Sequence, residues 1–315
     1  MSRDQKIRIA MIVCAVIVVC AVIVTVTGMF GGDVFGSYAN AEKYTAGEAE
    51  ITEPVHNLDI HWTSGKVTVE YHPENTVTVR ETCKSKLSED EQMRWWMDGD
   101  TLRVQYCKPG FRISTHGQKE LVVTLPEGTE LGDVTISLTS GDLVIPEMKA
   151  DTVKLDATSG GMNVNAETGK ADVSATSGDL NLKWTGDAES VRIDTTSGKV
   201  RTEAENAKNI HVNTTSGTID VTAEKNEDTE ISCTSGTVKV TLKKTGSLRV
   251  STTSGSVTAA LAAEPGFTAN INSVSGDLNT AMSLTKTGNT YTCGDGAARV
   301  DISTVSGNIY LEAAE

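Results

Sequence analysis

From about residue 55 onward, apolar and polar side chains alternate with period two over short runs, and the runs break at a recurring Ser-Gly dipeptide. The dipeptide stands at Ser140-Gly141, Ser159-Gly160, Ser177-Gly178, Ser197-Gly198, Ser216-Gly217, Ser235-Gly236, Ser254-Gly255, Ser275-Gly276 and Ser306-Gly307, with glycine spacings of 19, 18, 20, 19, 19, 19, 21 and 31. Five residues before each glycine the chain carries Ile136, Leu155, Val173, Ile193, Val212, Ile231, Val250, Ile271 and Ile302. Two residues after it come Leu143, Met162, Leu180, Val200, Ile219, Val238, Val257, Leu278 and Ile309. Positions four and six before the glycine are polar throughout. Alternation on both sides of a turn is the mark of half-buried strands.

One such unit cannot bury its apolar residues alone. Coils stacked at about 4.8 Å pair every backbone group with the coil above and below and make a continuous core. The pattern therefore predicts an all-β chain, a single-stranded parallel β-helix (β-solenoid) of coils about 19 residues long, over 131–315. Glycine permits positive φ at each corner, and the Thr and Ser hydroxyls bond nearby backbone, so the Ser-Gly ladder reads as structural. The register predicts that a charge is severely destabilising at Val212 and mild at Asn213.

Two departures from the period carry information. The 31-residue step holds a hairpin insertion near 281–298, alternating on both sides of Gly288-Asn289. Before the repeats, Leu58, Ile60, Trp62, Ser64, Gly65, Val67 and Val69 show the same register, but the next Ser-Gly follows only at Gly141. Residues 55–130 are thus expected to form an elaborated cap over the open end of the solenoid. Strands are expected at Val77–Arg80, Leu102–Tyr106 and Leu121–Pro126, with a tight turn at Asp98-Gly99-Asp100. Ser88 followed by Glu91 has the form of a capping box, which predicts a short helix over 88–97 carrying Trp95 and Trp96.

The amino terminus reads differently. Ile9 to Phe30 is uncharged and apolar, and about 20 such residues span the hydrocarbon core of a bilayer as a helix. Although Ala39-Asn40-Ala41 resembles a cleavage site, the run exceeds a signal-peptide h-region, so an uncleaved transmembrane anchor at 9–30 is expected. Arg3, Lys6 and Arg8 precede it and place residues 1–8 in the cytoplasm, with 31–54 as a linker and the rest outside the cell membrane. Cys14 and Cys20 lie in this run. Of the outer cysteines Cys83, Cys107, Cys233 and Cys293, the expected bridge is Cys83 with Cys107.

Composition narrows the chemistry. The net charge of −14 disfavours nucleic acid and electrostatic membrane docking. His56, His61, His72, His116 and His211 show no metal-ligand spacing, and no cofactor is expected. Asp142, Asp179 and Asp277 follow the Ser-Gly corner, but the Gly-Gly-x-Gly-x-Asp repeat of calcium-binding β-rolls is missing. Trp95 and Trp96 are the candidate partner-binding residues, since adjacent aromatics with a polar edge suit an interaction patch. No residue recommends itself as catalytic: a Ser repeated nine times with no tracking histidine is not a nucleophile set.

A membrane span followed by T-x-S-G units such as Val191-Arg192-Ile193-Asp194-Thr195-Thr196-Ser197-Gly198-Lys199-Val200 resembles the candidate-adhesin family of bacterial β-strand-repeat envelope proteins, the toastrack domain. The resemblance covers roughly 55–315. It implies a surface module that binds a surface glycan or another envelope protein. It also implies, as the alternative, a regulatory scaffold in cell-envelope stress sensing beside phage-shock-type membrane proteins and sensor kinases. A polysaccharide-active enzyme on a β-helix is the third reading, and the resemblance supplies no catalytic residues.

Overall fold

The computed structural model describes residues 38–110 and 119–314, which separate into two compact units, 38–178 and 179–314. The expected anchor at 9–30, with Cys14 and Cys20, and His116 lie outside the described residues. Among the described residues no helix is long and apolar enough to cross a membrane, and the one helical element is a 3-10 turn at Ala41–Lys43.

The amino-terminal unit holds β1 (Thr45–Ala46), β2 (Ala49–Ile51), β3 (Asn57–His72), β4 (Val77–Cys83), β5 (Arg94–Asp98), β6 (Thr101–Gln105), β7 (Lys119–Pro126), β8 (Leu131–Ile145), β9 (Lys149–Ser159) and β10 (Met162–Ser177). Rungs run parallel and in register: Ser64 and Gly65 of β3 lie beside Ser140 and Gly141 of β8, and Ser140 lies beside Ser159 of β9. On its other edge β3 is matched by β6 along its first half and β7 along its second, with Gly65 opposite Lys119. The chain thus lays β3 first, builds outward to a split rung, and returns to the inner edge as β8. Antiparallel strands then cover that outer rung, β5 on β6, β1 on β5, β4 on β7 and β2 on β4. Open edges invite further pairing, and this layer closes one.

The carboxy-terminal unit holds β11 (Leu180–Leu242), an extended run that spans several coils, then β12 (Thr245–Ser254), β13 (Val257–Leu261), β14 (Gly266–Ser275), β15 (Leu278–Thr280), β16 (Thr285–Thr287), β17 (Thr290–Gly294), β18 (Ala298–Ser306) and β19 (Ile309–Ala313). Here the order of rungs departs from the order of the chain. β18 and β19 pair with β12 and β13 on one side and with β14 and β15 on the other. The 31-residue step is therefore more than an insertion. The chain skips one rung outward, turns through the antiparallel hairpin β16–β17, and threads its last rung into the gap.

The core is the inward column of each rung. Ile136, Leu155, Val173, Ile193, Val212, Ile231 and Val250 are all buried, as are Leu143, Val200, Ile219 and Val257. Glycine is obligatory at the corner. At Gly217, φ is +142° and an added Cβ would fall 1.9 Å from the carbonyl oxygen of Gly198 in the neighbouring rung.

The segment expected as a helix at 88–97 is a turn followed by strand. Ser88 does bond Glu91 through both its N–H and its hydroxyl, 2.7 and 2.6 Å to Oε2. The chain then leaves the turn and pairs as β5 against β6, because Trp95 and Met97 share the inward side with Val104 and Leu102. Pairing over the buried Leu102 and Val104 of β6 outweighs the local cap.

Candidate functional site

The residues four and six before each corner glycine project from one face of the rungs. In the amino-terminal unit this face carries Arg103 and Gln105 of β6, Asp59 and His61 of β3, Thr135 and Ser137 of β8, and Lys154 and Asp156 of β9. Asp59 accepts from Arg103 Nη1, Arg103 Nε donates to Asp98 at 3.0 Å, and His61 Nε2 lies 2.9 Å from the other Asp59 oxygen. Burial pushes the Asp59 carboxyl upward, but His61 and Arg103 outweigh it and hold the group below the usual carboxylate range. Asp156 goes the other way: burial raises it, Lys154 opposes the rise and Asp172 adds to it.

The same face of the carboxy-terminal unit carries Arg192, Asp194, His211, Asn213, Glu230, Ser232, Arg249 and Ser251. Arg192 Nε donates to Asp194 at 2.7 Å, and Asn213 Nδ2 reaches Asp194 Oδ1 at 2.7 Å from the next rung. His211 lies 2.7 Å from the Asn213 amide and 3.5 Å from Glu230. These side chains form a rung-spaced polar ladder, in which Arg192, Asp194, His211, Asn213 and Glu230 are each held by a neighbour within the coil or on the next.

The carboxylates that follow the corner serve the backbone. Asp142 Oδ1 accepts the N–H of Gly161 at 2.8 Å, and Asp179 Oδ1 accepts that of Lys199 at 3.3 Å. Asn308 does the same for Asp277 at 3.1 Å. Each side chain caps the same position of the adjacent rung. Among the described residues no group of three His, Cys, Asp or Glu is placed to hold a metal ion.

Trp95 and Trp96 lie on opposite faces of β5. Trp95 shares the core side with Val104, and its indole N–H is buried without a hydrogen-bond partner. Trp96 shares the outer side with Arg103. Lys43 Nζ lies 4.6 Å over its ring, Arg103 stands at 6.0 Å, and Tyr44 meets it edge-on at 5.6 Å. Tyr38 continues the cluster against Tyr44 at 4.9 Å and donates its hydroxyl to the Cys107 carbonyl. Burial pushes the Tyr38 phenol up to about 12.

A second cluster was not singled out from the sequence. Lys119 Nζ and Glu81 Oε1 lie 2.6 Å apart with side chains only 3% and 4% exposed. The ammonium also donates to the carbonyls of Glu91 and Tyr106 and sits 3.9 Å over the Tyr106 ring. Glu81 Oε2 accepts the Met93 N–H at 3.0 Å. Burial lowers the Lys119 pKa while Glu81 opposes that shift. The signal was present in the alternation: Leu121, Val123 and Leu125 put Lys119 inward, and Val77 and Val79 do the same for Glu81. Cys83, opposite Lys119 at the end of β4, and Cys107, just after β6, are the expected bridge, and this structure does not join them.

The sequence profile of Toastrack DUF4097 matches residues 55–312. The chain belongs to the Toastrack family. Solved structures similar to this Toastrack chain include candidate adhesins from Bacteroides fragilis and Parabacteroides merdae. Both are 12% identical: the first covers 84% of this chain and 95% of its own with a TM-score of 0.42, the second 85% and 96% with 0.44. A candidate cell adhesion protein from Clostridium sporogenes is also 12% identical, covering 85% and 100%, with a TM-score of 0.22. No curated protein matches the chain.

Proposed function

We propose that this Toastrack protein is a non-enzymatic, membrane-anchored extracytoplasmic binding module that presents its charged ladder to an envelope protein or surface glycan. The observation that carries the reading is the stripe of Arg192, Asp194, His211, Asn213 and Glu230, polar side chains that meet from one rung to the next. A periodic polar surface suits an extended partner better than a single reacting molecule. The uncharged run Ile9 to Phe30, behind Arg3, Lys6 and Arg8, supports anchoring with residues 31–315 outside.

The test is photo-crosslinking in cells from positions 192, 211, 230 and 249, with mass spectrometry of the adducts. Defined adducts with wall polymer, glycan or an envelope protein, lost when Asp194 and Glu230 become lysine, are the expected result. Adducts with a neighbouring sensor kinase would shift the reading to envelope-stress regulation. Equal labelling from the ladder and from Lys243 or Lys183 would sink it.

A further inference from the structure

We infer that the outer end of the amino-terminal unit, where Tyr38, Lys43 and Trp96 surround the buried Tyr44, docks on the headgroup zone of the bilayer that holds the chain's own anchor. The inference rests on the anchoring proposed above and adds where the domain touches the membrane. β1 and β5 are the outermost strands of this unit on the β6 side, so Trp96 and the segment before β1 form its last layer. Trp96 faces away from the core and is half-buried, Tyr38 is half-buried, and Lys43 is exposed.

Rings with an apolar body and a polar tip, beside a lysine, are the chemistry that settles at headgroup depth. Reach supports the same partner. Tyr38 follows Phe30 by eight residues, and an extended chain covers at most about 28 Å in that length. This end is therefore held near the bilayer surface, where tethering gives a weak patch a high effective concentration. The charge of the patch selects the lipid. Asp98 and Asp59 pair with Arg103 beside the ring that Lys43 covers, so the patch suits zwitterionic headgroups, whose phosphate and ammonium both find a partner.

The full chain in phosphatidylcholine vesicles, with part of the lipid carrying a nitroxide on the headgroup, provides the test through tryptophan emission. Trp62 and Trp184 are buried, at 2% and 1% exposure, and serve as internal references. Quenching is expected to remove about half of the Trp96 share, roughly a tenth of the emission of four indoles. Trp96→Phe should abolish that quenching, Lys43→Glu should reduce it about twofold by repelling the phosphate, and Trp184→Phe should leave it intact. Protein that resists alkaline carbonate yet shows no quenching, or quenching untouched by Trp96→Phe, overturns the docking alone. Extraction by carbonate overturns the anchor, and the docking with it.

Discussion

Lys119 Nζ meets Glu81 Oε1 at 2.6 Å inside the cap, and the pair ties β7 to the antiparallel strand that covers it. Lys119 occupies the place in the outermost rung that glycine holds in the next, opposite Gly65. Removing one charge strands the other in a site lined by Trp62 and Tyr106. Glu81→Ala should therefore cost about 3–5 kcal/mol, whereas Glu81→Leu with Lys119→Met should be neutral or stabilising. Chemical denaturation of the three proteins checks this. Equal losses in single and double variants would show that the charges themselves hold the cap.

Val212 and Asn213 face opposite ways, yet both are sensitive. Val212 is fully buried, and Val212→Asp should unfold its rungs. Asn213→Asp, mild by the alternation alone, places a second carboxylate where the amide now donates to Asp194 at 2.7 Å. It should lower the melting temperature clearly, and Asp194→Asn in the same chain should restore most of the loss. A neutral Asn213→Asp would contradict this contact.

Asp59 and Asp156 give the amino-terminal unit opposite responses to acid. Asp59 is depressed in the folded state, so its contribution is complete above the unfolded value near 3.9 and disappears as pH falls through the folded value. Asp156 is raised, so the folded state takes up that proton first and gains stability relative to the unfolded chain as pH falls toward 3.9. Urea midpoints between about pH 6 and 3 should fall less steeply for Asp59→Asn than for the wild type, and more steeply for Asp156→Asn. Parallel curves would remove both assignments.

Two glycines separate strain from collision. Gly288, in the hairpin turn, has φ +62° and open space around a Cβ, so Gly288→Ala should cost about 1–2 kcal/mol. Gly217→Ala adds backbone overlap with the next rung to its strain and should cost well beyond the 1–3 kcal/mol or so of conformation alone. Calorimetry of both variants checks the difference.

Burial makes the Cys233 thiol reluctant to ionise, with its pKa pushed up to about 11. Alkylation at pH 8 should leave Cys233 unmodified in the native protein and complete in urea. Peptide mapping reads this directly, and rapid native labelling would place the side chain outside the core.

What the sequence made legible was whatever repeats. Alternation around Ser-Gly showed the inward columns and the parallel register, because the same pattern recurs nine times. Pairings that occur once were harder to read. The capping box at Ser88 exists as a bonded turn, but pairing with the buried strand β6 drew the next residues into a strand. Inward Lys119 and Glu81 broke the alternation visibly, though nothing local joined them across 38 residues. The charged ladder was legible only as outward polarity: that Asn213 is buried beneath its longer neighbours depends on rungs lying side by side.

The threading of β18 and β19 between two earlier rungs bears on how the protein is made. A nascent chain leaves the ribosome amino end first, and ordinary coils can be added as they emerge. This unit cannot be completed in that way. Its slot is bordered by strands made earlier, and the segment that fills it follows both of them in the chain. Until β19 has been made, β13 and β15 lack the neighbour they share, so a chain truncated before it leaves two mismatched strand edges open to proteases.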